Sequence, residues 1–184
     1  MIGATKAGLK RAAGLLVAEY RINWIYAGST ADGGEPADTV QPVDKAVCEQ
    51  LARSPTLQMR KAAAYANSGL AGLALIDGGV PVCVAHFATP AQYQRTGTWP
   101  LASGEAALMD IATEDAQRGK GYAVRLIRQA TTHFRAAGHD RLIAFIWWSN
   151  QPSIRAFTKA GWRRIGISVE LRRADRWRAL RIGL

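Results

Sequence analysis

Residues 117–123 read QRGKGYA, a glycine-containing turn between an apolar, strand-like run (106–113) and a helix-like run (122–137). Glycine has no Cβ, so Gly119 and Gly121 let the backbone turn tightly and approach a ligand closely. The N–H groups of such a turn, with the unpaired N–H groups and positive dipole end of the following helix, form a cradle for phosphate. Such a turn also serves as a plain connector between a strand and a helix, so these seven residues leave both interpretations open.

Spacing narrows the choice of phosphate-binding motif. No Gly-Lys-Ser/Thr follows the turn, which excludes a P-loop, and Val124 stands where Gly-x-Gly-x-x-Gly needs its third glycine. The turn does match Arg/Gln-x-x-Gly-x-Gly/Ala, with Arg118, Gly121 and Ala123 at the specified places. This pattern resembles the loop that binds the acyl-CoA pyrophosphate in the GNAT acetyltransferase superfamily.

A second motif lies downstream, where residues 150–162 read NQPSIRAFTKAGW. It resembles the second signature of the same superfamily, an Asn followed by a helix that ends in Tyr-x-Lys-x-Gly-Phe. Asn150, Lys159 and Gly161 occupy the matching positions, and Trp162 replaces the phenylalanine. Two motifs in the right order, separated by a helix and a strand, strengthen the resemblance.

The resemblance implies acetyl-CoA, or another acyl-CoA, as co-substrate, and no metal. In this family two parallel strands splay apart beside the turn and the pantetheine arm lies in the gap. The backbone of Ile111, Ala112 and Thr113 would pair with the pantetheine. The other expected cofactor-binding residues are Arg118, Gly119, Lys120, Gly121, Tyr122, Ala123, Asn150, Ser153, Phe157 and Lys159.

Acyl transfer needs a neutral amine to attack a thioester, a group that removes a proton, and a way for the thiolate to leave. The chain departs from the family here, because Phe157 takes the place of the tyrosine often used as general acid. Phenylalanine cannot donate a proton. The thiolate then leaves unassisted, which a thiol pKa near 8.5 allows, or another donor such as Tyr122 serves, or activity is lost.

Glu105 is the leading candidate for the base. It begins a predicted strand 13 residues before Arg118, a spacing that resembles the catalytic glutamate of histone-type members. Strict alternation places Glu105, Ala107, Met109 and Ile111 on one face of that strand and the second candidate, Asp110, on the other. The alternative for Glu105 is an exposed carboxylate at a strand end.

The predicted elements agree with that family. Periodicity and turn signals predict strands at 21–27, 73–77, 80–87, 105–113, 142–148, 162–173 and 176–182 and helices at 5–19, 44–53, 56–67, 121–137 and 153–160. Their order from the fourth strand onward, and the strand, two helices and hairpin upstream, predict an α/β (α+β) protein with the GNAT fold. We expect a mixed sheet of about six to seven strands flanked by helices. Residues 20–184 would form one domain, with residues 1–19 as an amphipathic helix packed on it.

Composition indicates the size of the domain, the cellular compartment and which metal or disulfide sites are unsupported. At 184 residues and 48% hydrophobic, the chain is long enough for one domain with a sizeable core. Cys48 and Cys83 stand far apart with no Cys-x-x-Cys, which implies neither a zinc site nor a disulfide framework. Nothing approaches the length of a membrane span, and the short apolar run near the N-terminus lacks a cleavage site. We expect a cytoplasmic protein.

Charge is unevenly distributed along the chain. The formal net charge is +10, and the last 44 residues hold ten Arg and Lys against two acidic residues. An excess of this kind is either a solvated face or an attraction for an anionic partner. An anionic small-molecule amine, such as a nucleotide-linked amino sugar, is therefore the expected acceptor. Nucleic acid is a second candidate, although no DNA- or RNA-binding motif accompanies the charge.

Two competing functions remain at this point. One is a catalytically degenerate module that binds CoA or nucleic acid, which the missing tyrosine at Phe157 favours. The other is a peptide or protein N-acetyltransferase, although a basic protein repels basic acceptors. A monomer and a homodimer both fit the sequence.

Overall fold

The structure is a computed structural model that describes residues 19–29, 39–65, 68–93, 99–173 and 176–184. Within these residues the chain forms eight strands and four α-helices. In chain order they are β1 (Glu19–Ser29), β2 (Val40–Pro42), α1 (Lys45–Ala52), α2 (Leu57–Tyr65), β3 (Ala71–Asp77), β4 (Val80–Ala88), β5 (Glu105–Thr113), α3 (Tyr122–Ala136), β6 (Arg141–Trp147), α4 (Gln151–Lys159), β7 (Arg163–Arg173) and β8 (Arg176–Gly183). Every strand predicted from the sequence is present, as are the four helices predicted after residue 40.

Local sequence explains where the helices begin and end. The side chain of Asp44 accepts a hydrogen bond from the Val47 N–H at 2.8 Å and so caps α1. Asn150 caps α4 in the same way, with Pro152 in the first turn, where a missing N–H costs nothing. Gly138 has a φ of 84° just after α3, a left-handed conformation that ends helices.

All eight strands form one mixed sheet in the order β2-β3-β4-β5-β6-β1-β7-β8. Only β5 and β6 are parallel neighbours, and every other pair is antiparallel. The predicted mixed sheet is confirmed, with one strand more than the upper expected number. The extra strand is β2, whose three residues carry too little pattern to be recognised in a sequence.

The position of β1 in the sheet could not be predicted from the order of elements along the chain, which is as expected: a strand, two helices and a hairpin. In the structure β1 lies between β6 and β7 and pairs antiparallel with both. The short β2 occupies the sheet edge beside β3 instead. Strand pairing across more than 100 residues depends on tertiary packing, so the local pattern of β1 gives no sign of it.

Helices cover both faces of the sheet. On one face, Leu126, Ile127 and Phe134 of α3 and Phe157 of α4 belong to the largest buried cluster. On the other, Val47 and Leu51 of α1 and Met59 and Ala62 of α2 pack on Ala74, Val84 and Ala112. We call these the α3/α4 face and the α1/α2 face. The predicted N-terminal helix lies outside the described residues, except that Glu19, assigned to it, belongs to β1.

Candidate functional site

The two parallel strands separate part-way along their length. β5 and β6 pair only between Glu105–Leu108 and Arg141–Ala144. Beyond these segments β5 stays paired with β4 through Thr113, and β6 stays paired with β1 through Trp147. A gap therefore opens between residues 109–113 and 145–147. The backbone at the edges of the gap is available to an extended ligand, as it is at a sheet edge.

A cleft of about 680 Å³ opens at this gap, mainly on the α3/α4 face, with Gln58 and Ala112 lining it from the other side. Its volume is within the range of roughly 300–1,000 Å³ typical of ligand sites. It brings together nearly all residues expected to bind the cofactor. Those that line it are Ile111, Ala112, Thr113, Arg118, Gly119, Gly121, Tyr122, Ala123, Asn150, Ser153, Phe157 and Lys159. Lys120 does not line the cleft, and its Nζ donates to Oε1 of Gln117 at 2.7 Å.

Both glycines of the turn have left-handed backbone conformations. Gly119 has a φ of 81° and Gly121 a φ of 83°. A Cβ added at either glycine would meet no atom within 4 Å, so the requirement for glycine comes from the backbone angle and not from crowding. Gly121 is also the N-cap of α3, and no side chain caps this helix. Its first N–H groups are thus free to bind an anion.

A buried hydrogen-bond network anchors the start of this turn. Thr56 Oγ1 donates to Oε2 of Glu114 at 2.6 Å and accepts the Asp115 N–H at 2.9 Å. Ser54 Oγ donates to the other oxygen of Glu114. The connection between α1 and α2 therefore fixes the end of β5, where the cleft begins.

The charge of the cleft is positive. Arg118, Arg155 and Lys159 line it, and none of its described lining residues is acidic. Arg118 forms an exposed ion pair with Asp115 at 2.7 Å, which holds its guanidinium beside the turn. Five described arginines of β7 and β8 lie away from the cleft, at the far edge of the sheet. They are Arg163, Arg164, Arg172, Arg178 and Arg181. Only part of the basic C-terminal region therefore contributes to this site.

Phe157 occupies the predicted position on α4 and is 2% exposed. Its ring packs edge-on against Trp162 at 4.9 Å and lies 6.4 Å from the ring of Tyr26 on β1. Asn150 begins the same helix, and its Oδ1 accepts the Ser153 N–H at 3.3 Å. Burial of Phe157 gives α4 a fixed position against the sheet.

Glu105 lies at the start of β5, at the end of the paired segment away from the gap, and is 4% exposed. Its Oε1 accepts a hydrogen bond from Nε of Arg141 at 2.6 Å, and its Oε2 accepts the Ala102 N–H at 2.9 Å. Both carboxylate oxygens are therefore engaged. The alternative of an exposed strand-end carboxylate is wrong, because Glu105 is buried and forms an ion pair across the two parallel strands with Arg141, whose side chain is partly exposed.

Asp110 lies on a different face from the one expected, because of a bulge in β5. His86 of β4 pairs with Asp110, but the next residue, Phe87, pairs with Leu108, so Met109 is an extra residue. The bulge shifts the alternation, so Glu105 and Asp110 share the α1/α2 face. Ile111 packs against the cluster of the α3/α4 face. The predicted common face of Glu105 and Ile111 is wrong for this reason.

Asp110 is partly buried. Burial raises the pKa of this carboxyl above its ordinary value, against a smaller opposing effect of the Ile111 backbone. His86, directly opposite, is fully buried, and burial lowers its pKa to about 4. A carboxylate with a raised pKa is a better proton acceptor than an ordinary aspartate.

Tyr122 lines the cleft at the first residue of α3. Its hydroxyl donates to Oδ2 of Asp77 at the end of β3. This hydrogen bond, followed by smaller contributions, raises the pKa of the Tyr122 hydroxyl. Tyr122 therefore keeps its proton, which is directed at the Asp77 carboxylate.

Comparison with known proteins supports this geometry. A model of the acetyltransferase (GNAT) family matches residues 44–162, more than half of the chain. The chain belongs to this family. No curated protein matches the sequence.

Solved structures of GNAT acetyltransferases have a similar fold. A putative GNAT acetyltransferase from Novosphingobium aromaticivorans is 18% identical with a TM-score of 0.59, over 84% of this chain and 65% of that one. A GNAT acetyltransferase from Colwellia psychrerythraea is 15% identical with a TM-score of 0.58, over 96% and 61%. This chain thus spans less than two thirds of either. The aminoglycoside acetyltransferase AAC(6')-Ib, in complex with coenzyme A, is 20% identical with a TM-score of 0.54, over 79% and 93%.

The GNAT cleft also contains residues that the sequence did not single out. These are Gln58, Gln117, Val124, Ile127, Pro152, Arg155 and Ala156. Helical spacing could have identified two of them, since Arg155 lies four residues before Lys159 and Ile127 four after Ala123. Gln58 carries no such signal, because it reaches the cleft from α2 through the tertiary fold.

The described residues also bear on three further features: membrane-spanning helices, metal-binding groups and disulfides. Among them, no helix combines the length and apolar character needed to cross a membrane. The same part of the chain holds no group of three or more His, Cys, Asp or Glu arranged to bind a metal. Cys48 and Cys83 are both free thiols.

Proposed function

We propose that this GNAT protein is an N-acyltransferase that moves an acetyl or other short acyl group from acyl-CoA to a primary amine. The observation that carries the proposal is the cleft itself. A strand edge without a partner leads directly into an uncapped helix N-terminus with two left-handed glycines and three basic side chains. Few ligands need an extended hydrogen-bonding arm that ends in phosphates, and acyl-CoA is one of them.

Acyl-CoA fits these residues in two segments. The backbone of Ile111 to Thr113 would hydrogen-bond the pantetheine arm on the side of the gap. The N–H groups from Arg118 to Ala123 would bind the pyrophosphate, with the positive end of the α3 dipole. Arg118, Arg155 and Lys159 would balance the phosphate charges.

The amine would approach from the opposite side of the sheet. The gap between β5 and β6 connects the two faces, and Asp110 is directed to the α1/α2 face, next to Ile111. We propose that Asp110 accepts the proton of the attacking amine, because it is only partly buried and forms no ion pair with any described residue. Glu105 suits this role less well, since Arg141 and the Ala102 N–H occupy both of its oxygens.

The acceptor class follows from the family and the charge. We propose a small-molecule amine, in line with the aminoglycoside acetyltransferase of similar fold. An anionic amine would be attracted by the positive charge of the cleft side and the C-terminal strands. Peptide acceptors are the alternative within the same reaction.

A binding module without turnover is the competing function, and the buried Phe157 favours it. Such a module would retain the cleft and its basic residues while lacking a proton donor on α4. Nucleic acid would be its other ligand, through the arginines of β7 and β8, and binding would weaken steeply with salt.

Isothermal titration with acetyl-CoA and free CoA, followed by a thiol-release assay, tests the proposal. The acceptor panel contains amino sugars, their nucleotide derivatives, polyamines, amino acids and peptides. Two charge reversals provide a matched pair, because Arg155 lines the cleft whereas Arg178 is exposed on β8. We expect Arg155→Glu to weaken CoA binding by roughly 10-fold or more and Arg178→Glu to leave it unchanged.

Three outcomes separate the alternatives. Binding with thiol release on one class of amine supports the acyltransferase and names its acceptor. Binding without thiol release across the panel favours the module. No binding to either nucleotide overturns both interpretations of the cleft.

A further inference from the structure

None of the described cleft residues is placed to give a proton to the departing thiolate. When the amine nitrogen bonds to the acyl carbon, the C–S bond breaks and the sulfur keeps the electron pair. A nearby hydroxyl would assist by giving this sulfur a proton. Phe157, on α4 beside the gap, has no such group, and the Tyr122 hydroxyl already donates to Asp77.

Tyr26 on β1 is the hydroxyl-bearing ring in contact with Phe157. The two ring centroids are 6.4 Å apart with an interplanar angle of 48°. Both rings belong to the buried cluster of the α3/α4 face, the same face as the cleft. The unusual position of β1 between β6 and β7 is what brings this tyrosine here.

The sheet register locates Tyr26 at the point where the gap begins. Tyr26 pairs with Ala144 of β6, and Ala144 pairs with Leu108 of β5. The Leu108–Ala144 pair is the last one before the two strands separate. Tyr26 therefore lies on the β6 side of the apex of the gap, where the proposed pantetheine arm would bring the thioester. It does not itself line the cleft, but it packs with Phe157, which does.

The hydroxyl of Tyr26 is chemically available. We find no hydrogen-bond partner for it among the described residues, and it is not one of their fully enclosed, unsatisfied polar atoms. The residue is 7% exposed, so its aromatic ring is packed while the hydroxyl keeps access to open space. A phenol hydroxyl can both donate and accept a hydrogen bond.

We propose that Tyr26 provides the proton that Phe157 cannot, and so acts as the general acid of this enzyme. This inference rests on the proposed acyl transfer. In the balanced step the amine nitrogen forms the new C–N bond and the C–S bond breaks. The sulfur takes the Tyr26 proton, Asp110 takes the amine proton, and solvent restores both groups. The acid has thus moved from helix α4 to strand β1.

Tyr26→Phe tests the role, because it removes one oxygen and keeps the ring packing. With acetyl-CoA we expect kcat to fall by roughly 10- to 100-fold, with little change in acetyl-CoA affinity. The fall in activity at alkaline pH, where the acid loses its proton, should disappear. An acetyl aryl thioester, whose thiolate leaves without assistance, should react almost equally well with both proteins.

Phe157→Tyr in the Tyr26→Phe background is the second variant. A hydroxyl restored on the neighbouring ring should recover a large part of kcat and of the alkaline limb. Circular dichroism and thermal unfolding check that each variant is folded.

The possible outcomes separate the role of Tyr26 from the acyltransferase proposal. An active wild type whose kcat, pH profile and donor preference are unchanged by Tyr26→Phe overturns the role of Tyr26 alone. An equal loss with acetyl-CoA and with the aryl thioester also overturns it, since that pattern indicates damaged packing. A wild type without thiol release overturns the acyltransferase proposal, and the role of Tyr26 with it.

Discussion

The hydroxyl of Thr56 connects two parts of the chain that meet at the cleft. It donates to the Glu114 carboxylate at 2.6 Å and accepts the Asp115 N–H at 2.9 Å. Thr56 is 1% exposed, so neither bond is exchanged easily for water. The residues just before the phosphate-binding turn are thereby held by the connection between α1 and α2, a contact that spans 58 residues of sequence.

Loss of this hydroxyl should loosen the turn. Thr56→Val keeps the shape of the side chain but removes the partner of the Asp115 N–H and of one Glu114 oxygen, while Ser54 still donates to the other oxygen. We expect a loss of about 1–3 kcal/mol in the free energy of unfolding and a several-fold weaker affinity for acetyl-CoA. Thr56→Ser retains the hydroxyl and is the control. Equal affinity of the valine and serine variants, measured by titration, would contradict the anchoring role.

The left-handed glycines lead to a second prediction. Gly121→Ala forces a Cβ onto a residue with φ of 83°, at a cost of about 1–2 kcal/mol. Relief of this strain changes the direction of the first N–H groups of α3, so acetyl-CoA should bind more weakly. Gly138→Ala is a matched control, since Gly138 has a φ of 84° at the other end of the same helix and equally open surroundings.

Both glycine variants should lose similar stability, and only Gly121→Ala should lose affinity. Thermal unfolding and titration with acetyl-CoA measure the two effects separately. If Gly138→Ala weakened binding as much, the loss would reflect general destabilisation, and α3 would have no special part in phosphate binding.

Sequence reasoning succeeded where the signal was local. Helix periodicity, the glycines of the turn and the motif that begins at Asn150 are each local, so they predicted α3, α4 and most of the cleft lining. It failed where the outcome depends on tertiary pairing. The insertion of β1, the bulge at Met109 and the Glu105–Arg141 ion pair arise between strands that are distant in sequence.

The bulge in β5 leads to a third prediction, on the two candidate bases. Asp110→Asn should lower kcat by roughly 10²- to 10⁴-fold. In the wild type the acidic limb of kcat/KM should lie above the ordinary aspartate pKa of 3.8, because burial raises the pKa of Asp110. Glu105→Gln should keep the pH profile and lower stability by about 1–3 kcal/mol, since Arg141 loses its charged partner.

If Glu105 is the base, the results expected for the two variants are reversed. A profile that loses its acidic limb in Glu105→Gln and keeps it in Asp110→Asn would assign the proton transfer to Glu105. The measurement is kcat/KM from pH 4 to 9 for both proteins with the same amine.

His86 leads to a fourth prediction, on stability. Its side chain is fully buried beside the ring of Tyr65, at 5.4 Å, and opposite Asp110. Neither imidazole nitrogen has a hydrogen-bond partner among the described residues. Burial lowers the pKa of His86 from 6.5 to about 4, so between these values the unfolded chain binds a proton that the folded protein does not.

The free energy of unfolding should therefore fall as the pH drops from 6.5 to 4, by about 3 kcal/mol for this residue. The raised pKa of Asp110 acts in the opposite direction, because the folded protein takes up that proton first as the pH falls. Denaturant unfolding at several pH values measures the slope. We expect His86→Gln to remove most of the decline, whatever its effect on stability at pH 7, and His133→Gln, at an exposed position of α3, to leave it intact. An unchanged slope in His86→Gln would mean that the buried imidazole takes up its proton as readily as an exposed one, and that solvent reaches it from the α1/α2 face.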